Sequence, residues 1–321
     1  FDFAMELAVP QEHWAAYYRG GMLVSCPTNP EPGYAGRVRN AWADFFRHLG
    51  HGALVLDVGT GNGPVALIAK QISAEHDLAL RIRGVDLADI RPADDVPDGA
   101  RLFQGIEFQG GVSAEALPFS DGAFDAVVGQ FIAEYTDYRR TLAEMSRVLA
   151  GQGLLQLILH HADSIVVQNA TESLLHADLV NSEERLLDKA ERYIEVAGQS
   201  GPAAESARQA LIESGKRLEE MAEASANPLL IRYVLQSVTS ILEHRNQLSQ
   251  SELINQVGRL KRELALWEQR LLDLDGAALT ADGLQSFAAE AEASGFRDVD
   301  YRPLQQADDI LVGWLLQARR A

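Results

Sequence analysis

Asp57, Gly59, Gly61 and Gly63 occupy alternate positions in the stretch Val55-Leu56-Asp57-Val58-Gly59-Thr60-Gly61-Asn62-Gly63. Glycines so spaced let the backbone turn tightly and let a ligand approach main-chain atoms. Pro64 follows, and proline suits a first helical turn because the N–H it lacks has no intrahelical partner there. The freed N–H groups of such a helix start face a ligand seated on the turn. A nucleotide-type cradle is therefore expected. Asp86 ends the next apolar segment, where an acid is placed to take two ribose hydroxyls, with Leu87 against the base. Further on, His160-His161 ends another apolar segment. Adjacent histidines in an extended chain point to opposite sides, so they do not chelate one metal together, and no metal site is expected. Histidine titrates at about 6.5 when unperturbed. His160, with His161 behind it, is expected to line a pocket as a base or orienting group.

The elements that must position these groups are legible from hydrophobic period. The run 53–58 reads as a buried strand, and 65–72 as the helix after it. Strands are expected over 80–86, 106–110, 124–129 and 154–159, with a helix over 138–149. Such alternation predicts an open α/β sheet, whose ligands sit at the carboxyl ends of the strands. Gln130, Glu134 and Tyr135 fall there too. A helix over 283–294 and strands over 296–301 and 310–316 close the pattern. Residues 1–50 read as a helical lid segment, with Trp14, Tyr17 and Tyr18 on one face and a breaker-rich loop over 26–33. Tyr18 is a third candidate at the reacting end, because an aromatic face attracts a cation.

From 164 to about 275 the alternation stops. Ile231, Leu235, Val238 and Leu242, and then Leu253, Val257, Leu260, Leu264, Trp267 and Leu271, repeat at helical spacing. Breaks near 198–202 and 226–228 predict several antiparallel helices. The expected organisation is a lid segment at 1–50, an α/β domain at 51–163 and 277–321, and an all-helical insertion at 164–276. The insertion is expected to cap the site or to form a homodimer interface.

Asp57-x-Gly59-x-Gly61-x-Gly63 resembles motif I of the class I S-adenosylmethionine-dependent methyltransferases. Ala114-Glu115-Ala116-Leu117-Pro118-Phe119, followed by Phe124-Asp125-Ala126-Val127, resembles the methyltransferase type 11 subgroup. The run E-M-S-R-V-L-A-G-Q-G at 144–153 is similar to a turn of that family, in which Gly151 and Gly153 are expected to supply flexible backbone. The resemblance covers roughly 36–160 and 277–321. It implies a Rossmann-like seven-stranded sheet with helices on both faces, and S-adenosyl-L-methionine as cofactor. It also implies that Asp57 and the glycine turn hold the cationic methionine end, and that Asp86 and Leu87 take ribose and adenine. Ser113, where the family has an aspartate, and the Ala114 N–H would meet the adenine, while Gln130 would border the methionine or acceptor end. The implied reaction is in-line attack by an acceptor on the sulfonium methyl, with oxygen or nitrogen favoured over carbon.

Composition narrows the partners. The 46 acidic residues against 28 basic ones leave a net charge of −18. Such a field repels phosphate backbones, so a small-molecule acceptor is expected and a nucleic acid is not. Cys26 is the only cysteine, which excludes an internal disulfide or a cysteine-rich zinc site. No run approaches the ~18 apolar residues of a membrane span, and the start lacks the basic-then-apolar pattern of a leader. A cytoplasmic location without membrane association is expected. Phe1 in place of Met suggests that residues precede it. Two other classes fit parts of the pattern: a protein that binds the cofactor without catalysis and assembles through the helical block, and an NAD-dependent oxidoreductase. The second would need its third glycine one residue later.

Overall fold

The computed structural model describes residues 12–25, 33–197, 201–306 and 310–321. The breaker-rich loop expected over 26–33, Cys26 included, lies outside them up to residue 32, as do residues 1–11 of the expected lid segment. The chain divides into two compact units, 1–167 with 273–321, and 168–272.

In chain order the elements are α1 (Glu12–Arg19), α2 (Gly36–Arg47), β1 (Leu54–Val58), α3 (Pro64–Glu75), β2 (Arg81–Val85), α4 (Pro92–Asp95), α5 (Gly99–Leu102) and β3 (Ile106–Gln109). Next come β4 (Phe124–Gln130), α6 (Tyr138–Val148), β5 (Leu149–Leu159), α7 (Ile165–Asp178) and α8 (Leu186–Val196). The chain ends with α9 (Pro202–Ala224), α10 (Leu229–Glu243), α11 (Gln250–Ala277), α12 (Ala281–Ala293), β6 (Phe296–Gln305) and β7 (Leu311–Arg320).

The strands form one seven-stranded sheet in the order β3-β2-β1-β4-β5-β7-β6. Its first five strands run parallel, and β7 lies antiparallel to both β5 and β6. Parallel strands are covered on both faces, which is why 53–58 and 154–159 are mostly apolar, with Asp57 and Gln156 as their polar members. Leu56 and Val58 face a core built with Leu142 and Met145 of α6 and Leu284 and Phe287 of α12. Val55 faces the other core, with Trp42 and Phe46 of α2 and Ile68 and Ile72 of α3. This is the expected Rossmann-like seven-stranded sheet with helices on both faces.

Two local features depart from expectation. No glycine turn separates α6 from β5: the strand begins at Leu149, directly after the helix, and runs through Gly151 and Gly153. The left-handed residue in this region is Gln152, at φ +66°. The last two strands extend beyond the expected 296–301 and 310–316, because each pairs along almost its whole length with its neighbour. Within 168–272, the expected stripes form one core: Ile231 and Val238 from α10 meet Leu253, Val257, Leu260 and Leu264 from α11, with Leu218 of α9. Among the described residues no helix is long and apolar enough to cross a membrane.

Candidate functional site

A cavity of about 480 Å³ opens at the carboxyl ends of the central strands. Its floor is the turn after β1, from Gly59 to Asn62 with Pro64, flanked on one side by Asp86, Leu87 and Ala88 and on the other by Gln130 to Thr136 without Ala133. Trp14 and Tyr18 of α1, with Leu23 and Ser25, form a wall, and Asp273, Gly276 and Ala277 complete it.

The turn is held by bonds that its own sequence supplies. Gly61, at φ +51°, adopts a left-handed conformation natural to glycine. Its N–H donates to Asp86 Oδ2 at 2.8 Å, and the N–H of Ala88 donates to Oδ1 at 2.8 Å. Each carboxylate oxygen has two lone pairs, so Asp86 keeps acceptor capacity toward the cavity. Asn62 is fully buried, and its amide donates to the carbonyls of Tyr18 and Met22, both at 2.8 Å. That bond pair pins α1 over the turn. A Cβ on Gly61 would stand 2.7 Å from the Tyr18 ring, and one on Gly59 would stand 2.4 Å from Ile132. Tyr18 and Ile132 thus pack directly against the turn, whose backbone lines the cavity between an aromatic wall and the acid at the end of β2.

The residues expected to bind or react separate into two groups. Gly59, Gly61, Asp86, Leu87, Gln130 and Tyr18 all line the cavity. Gln130 Oε1 accepts from the Trp42 indole at 2.5 Å, while its buried Nε2 has no partner.

The others do not line it. Asp57 shares the face of Val55 and lies beneath the turn, where its Oδ2 accepts from the Thr60 hydroxyl at 2.7 Å. It braces the loop from below and does not present a carboxylate to the cavity. Gly63 caps α3 and packs against Phe108 and Phe103. Ser113 follows Val112, whose N–H reaches the Asp86 carbonyl at 2.9 Å. The Ser113 hydroxyl, however, accepts from Glu115 N at 3.2 Å, and Ala114 is buried in the core.

His160 corrects the sequence reading most. It is fully buried outside the cavity lining, stacked on Phe131 at 3.9 Å with an interplanar angle of 3°. Burial pushes its pKa down to about 3, and neither ring nitrogen has a partner. A base must hold and release protons near the working pH; this imidazole stays neutral. His161 points the opposite way, as an extended chain requires, and stacks on Trp314 at 4.0 Å. Its Nδ1 accepts from Asp163 N at 2.9 Å, so the remaining proton sits on Nε2. Tyr17, on the same helix as Tyr18, spends its hydroxyl on the Val24 carbonyl at 2.7 Å.

Several lining residues had no sequence signal of their own. Asn62 stands among glycines as a spacer, Asp273 and Gly276 fall at the end of the expected helical insertion, and Ala277 falls just past it. Asp273 Oδ2 meets His13 Nε2 at 2.6 Å, joining the end of α11 to α1. Glu134 was a positional candidate only. It is buried, its Oε1 accepts from His160 N at 2.7 Å, and its Oε2 has no partner.

Desolvation pushes three of these acids up: Asp57 to about 7, Asp86 to about 6 and Glu134 to about 8. In the unfolded chain such groups ionise near 4. Between pH 6.5 and 8 the folded protein therefore retains protons that the unfolded chain has released, so stability falls as pH rises. His160 acts in the opposite sense only below its unfolded value of about 6.5. The melting temperature of the free protein is expected to drop from pH 6.5 to pH 8, with a shallower slope in Asp57→Asn. A rise over this interval in the wild type contradicts the burial of these acids.

Sheet order, the antiparallel last strand and a glycine turn answered by an acid just after β2 define a class I methyltransferase fold. Residues 56–157 match the family described as a methyltransferase domain, and that segment belongs to it. The chain is 35% identical over 109 residues to a ubiquinone/menaquinone biosynthesis C-methyltransferase of Geotalea uraniireducens, covering 32% of this chain and 43% of the relative. It is 36% identical over 106 residues to a demethylmenaquinone methyltransferase of Thermus thermophilus, covering 32% and 46%. The match thus spans less than half the length of these curated relatives. A solved Burkholderia thailandensis 1,6-didemethyltoxoflavin-N1-methyltransferase aligns at a TM-score of 0.42 and 14% identity, over 89% of this chain and 78% of that one.

Proposed function

We propose that this chain binds S-adenosylmethionine in the cavity at the ends of β1, β2 and β4 and catalyses transfer of its methyl group to a small-molecule acceptor. The observation that carries this reading is Asp86: it holds the Gly61 N–H at 2.8 Å while facing a cavity of about 480 Å³. A nucleoside seated there meets a carboxylate for its sugar and the backbone of the glycine turn for its tail. When bound, the cofactor supplies an electrophilic methyl group whose departing sulfur keeps the bonding electrons.

The protein's part is placement and the exclusion of water. Alignment of reactants in a dry site is worth as much as about 7–11 kcal/mol. Trp14 and Tyr18, stacked on each other at 6.1 Å, and Tyr135, edge-on to Trp14 at 5.9 Å, supply apolar walls for it. The preference for an oxygen or nitrogen acceptor loses its motive once His160 leaves the cavity. The relatives named as C-methyltransferases add weight to a carbon acceptor.

Calorimetry with S-adenosylhomocysteine tests the cofactor, and transfer of labelled methyl into a pool of cell metabolites tests the reaction. Binding is expected at micromolar concentrations or below; no heat at any concentration tried overturns the proposal, and binding without transfer favours the non-catalytic alternative. His160→Phe keeps a flat ring against Phe131 and removes two unpartnered nitrogens. Labelled-methyl transfer by this variant is expected to follow the parent pH profile. Loss of one limb of that profile would return His160 to the role of base.

A further inference from the structure

The two sides of the cavity differ in chemistry. In the sheet, β2 and β4 lie on opposite sides of β1, and neighbouring strands are about 4.8 Å apart. The residues after β2 and those after β4 therefore stand about 10 Å from each other. Asp86 and Leu87 belong to the first side. The second carries Phe131, Ile132, Glu134 and Tyr135, and is closed by Asp273, one turn before the end of α11. The chain after α11 is tied to the end of β5, with Leu279 N donating to the His160 carbonyl at 2.9 Å.

Among the described residues no lysine, arginine or histidine lines this cavity. Its ionisable carboxyls are Asp86, Glu134 and Asp273, and its walls are aromatic. Aromatic faces attract cations, and a buried acid without a counter-ion penalises any further negative charge. A carboxylate or phosphate on the acceptor would meet no lysine, arginine or histidine among the described lining residues.

We propose that the β4–β5 side of the cavity takes an acceptor bearing a basic amine on an aromatic or apolar body, with Glu134 as the counter-charge and Trp14 and Tyr135 as the walls. The proposal rests on the methyl-transfer reading for the word acceptor, but the charge preference belongs to the cavity itself. Glu134 is 9% exposed, and one oxygen already serves a backbone N–H, so the side chain is held in place while Oε2 keeps a vacant acceptor position. That oxygen is itself buried, so the side chain must turn toward the cavity to meet a bound ammonium. The titratable groups around it are His160 from the end of β5, Asp273 from α11 with its partner His13 from α1, Tyr18 and Tyr135, and Asp86 across the cavity. Among the described residues, none of the groups lining the cavity supplies a cation. In the free protein, burial holds the Glu134 carboxyl protonated to about pH 8. An arriving ammonium stabilises the ionised form, and a proton leaves to solvent.

Three probes of one shape and three charges test this: 2-phenylethylamine, 2-phenylethanol and phenylacetate, titrated with and without saturating S-adenosylhomocysteine. The amine is expected to bind at least about tenfold tighter than either of the others, the gain typical of one charge-assisted hydrogen bond. Glu134→Gln is expected to erase that margin while S-adenosylhomocysteine binds as before. Calorimetry of the wild type at pH 7 in two buffers of different ionisation enthalpy is expected to show about one proton released per amine bound. Equal or tighter binding of the alcohol or the acid, an amine margin that survives Glu134→Gln, or binding without proton release overturns the proposal. Failure of S-adenosylhomocysteine to bind strikes the methyl-transfer reading instead, and the three probes still report the charge preference.

Discussion

Asp86→Ala is expected to weaken S-adenosylhomocysteine binding by about 10²-fold. The carboxylate accepts from the N–H groups of Gly61 and Ala88, each at 2.8 Å. Hydrogen bonds to an ionised group contribute about 1.5–3 kcal/mol each. Alanine loosens the glycine turn and removes the acceptor proposed for the ribose, so about 3 kcal/mol of ligand affinity is at stake. The pH dependence sharpens the test. Burial holds Asp86 at about 6 in the free protein, whereas the form that accepts from two N–H groups and a sugar is the ionised one. Affinity is therefore expected to fall as pH drops below 6, by about tenfold per unit once the acid is protonated. Asp86→Asn, which keeps the shape without the charge, is expected to bind more weakly at pH 7.5 and to lose this acid limb. An alanine variant that binds within about twofold of the parent removes Asp86 from the site.

The centre of the sheet was legible because β1 and β4 are buried along almost their whole length, whereas β3 and β6 at its edges are largely exposed. Val55 to Val58 and Leu154 to Leu159 contain enough apolar side chains to be recognised singly, and the glycine turn after β1 depends on spacing alone. The register of β5 was less visible. Gly151 and Gly153 look like a turn in one dimension; they lie within β5, but the ladder to β4 passes from Leu149 to Leu154 and skips them at a register shift. The same limit governs the site. Floor residues such as Gly61 and Asp86 are set by local chain direction at strand ends. Asp273, Gly276 and Ala277 arrive from the end of a helix far along the chain, and nothing in their own neighbourhood marks them. His160 shows the opposite error: the residue type suggests chemistry, but alternation along β5 sends its ring onto Phe131. Phe131 itself has φ +57°, an unusual conformation for a large side chain, and no residue pattern announced it.

Gly61→Ala is the second large effect, and it separates two causes that the fold combines. An L-residue in the left-handed region costs about 1–2 kcal/mol, and Gly61 sits there at φ +51°. The added methyl would also fall 2.7 Å from Cε1 and Cζ of the Tyr18 ring. Tyr18 does not give way freely, because its carbonyl is held by Asn62 Nδ2 at 2.8 Å on the same turn. The variant is thus expected to melt several degrees lower and to lose about 10²-fold in S-adenosylhomocysteine affinity, as the turn moves away from Asp86. Adding Tyr18→Ala removes the ring that the methyl strikes. The double variant is expected to recover the part of the stability due to the collision, leaving the backbone part of about 1–2 kcal/mol. Gly151→Ala is the control: a Cβ there meets nothing within 4 Å, and neither stability nor binding is expected to change. If Gly61→Ala behaves like Gly151→Ala, the close approach of α1 to the turn is not a feature of the protein in solution. If the double variant recovers nothing, the collision with Tyr18 contributes nothing and backbone strain accounts for the whole effect.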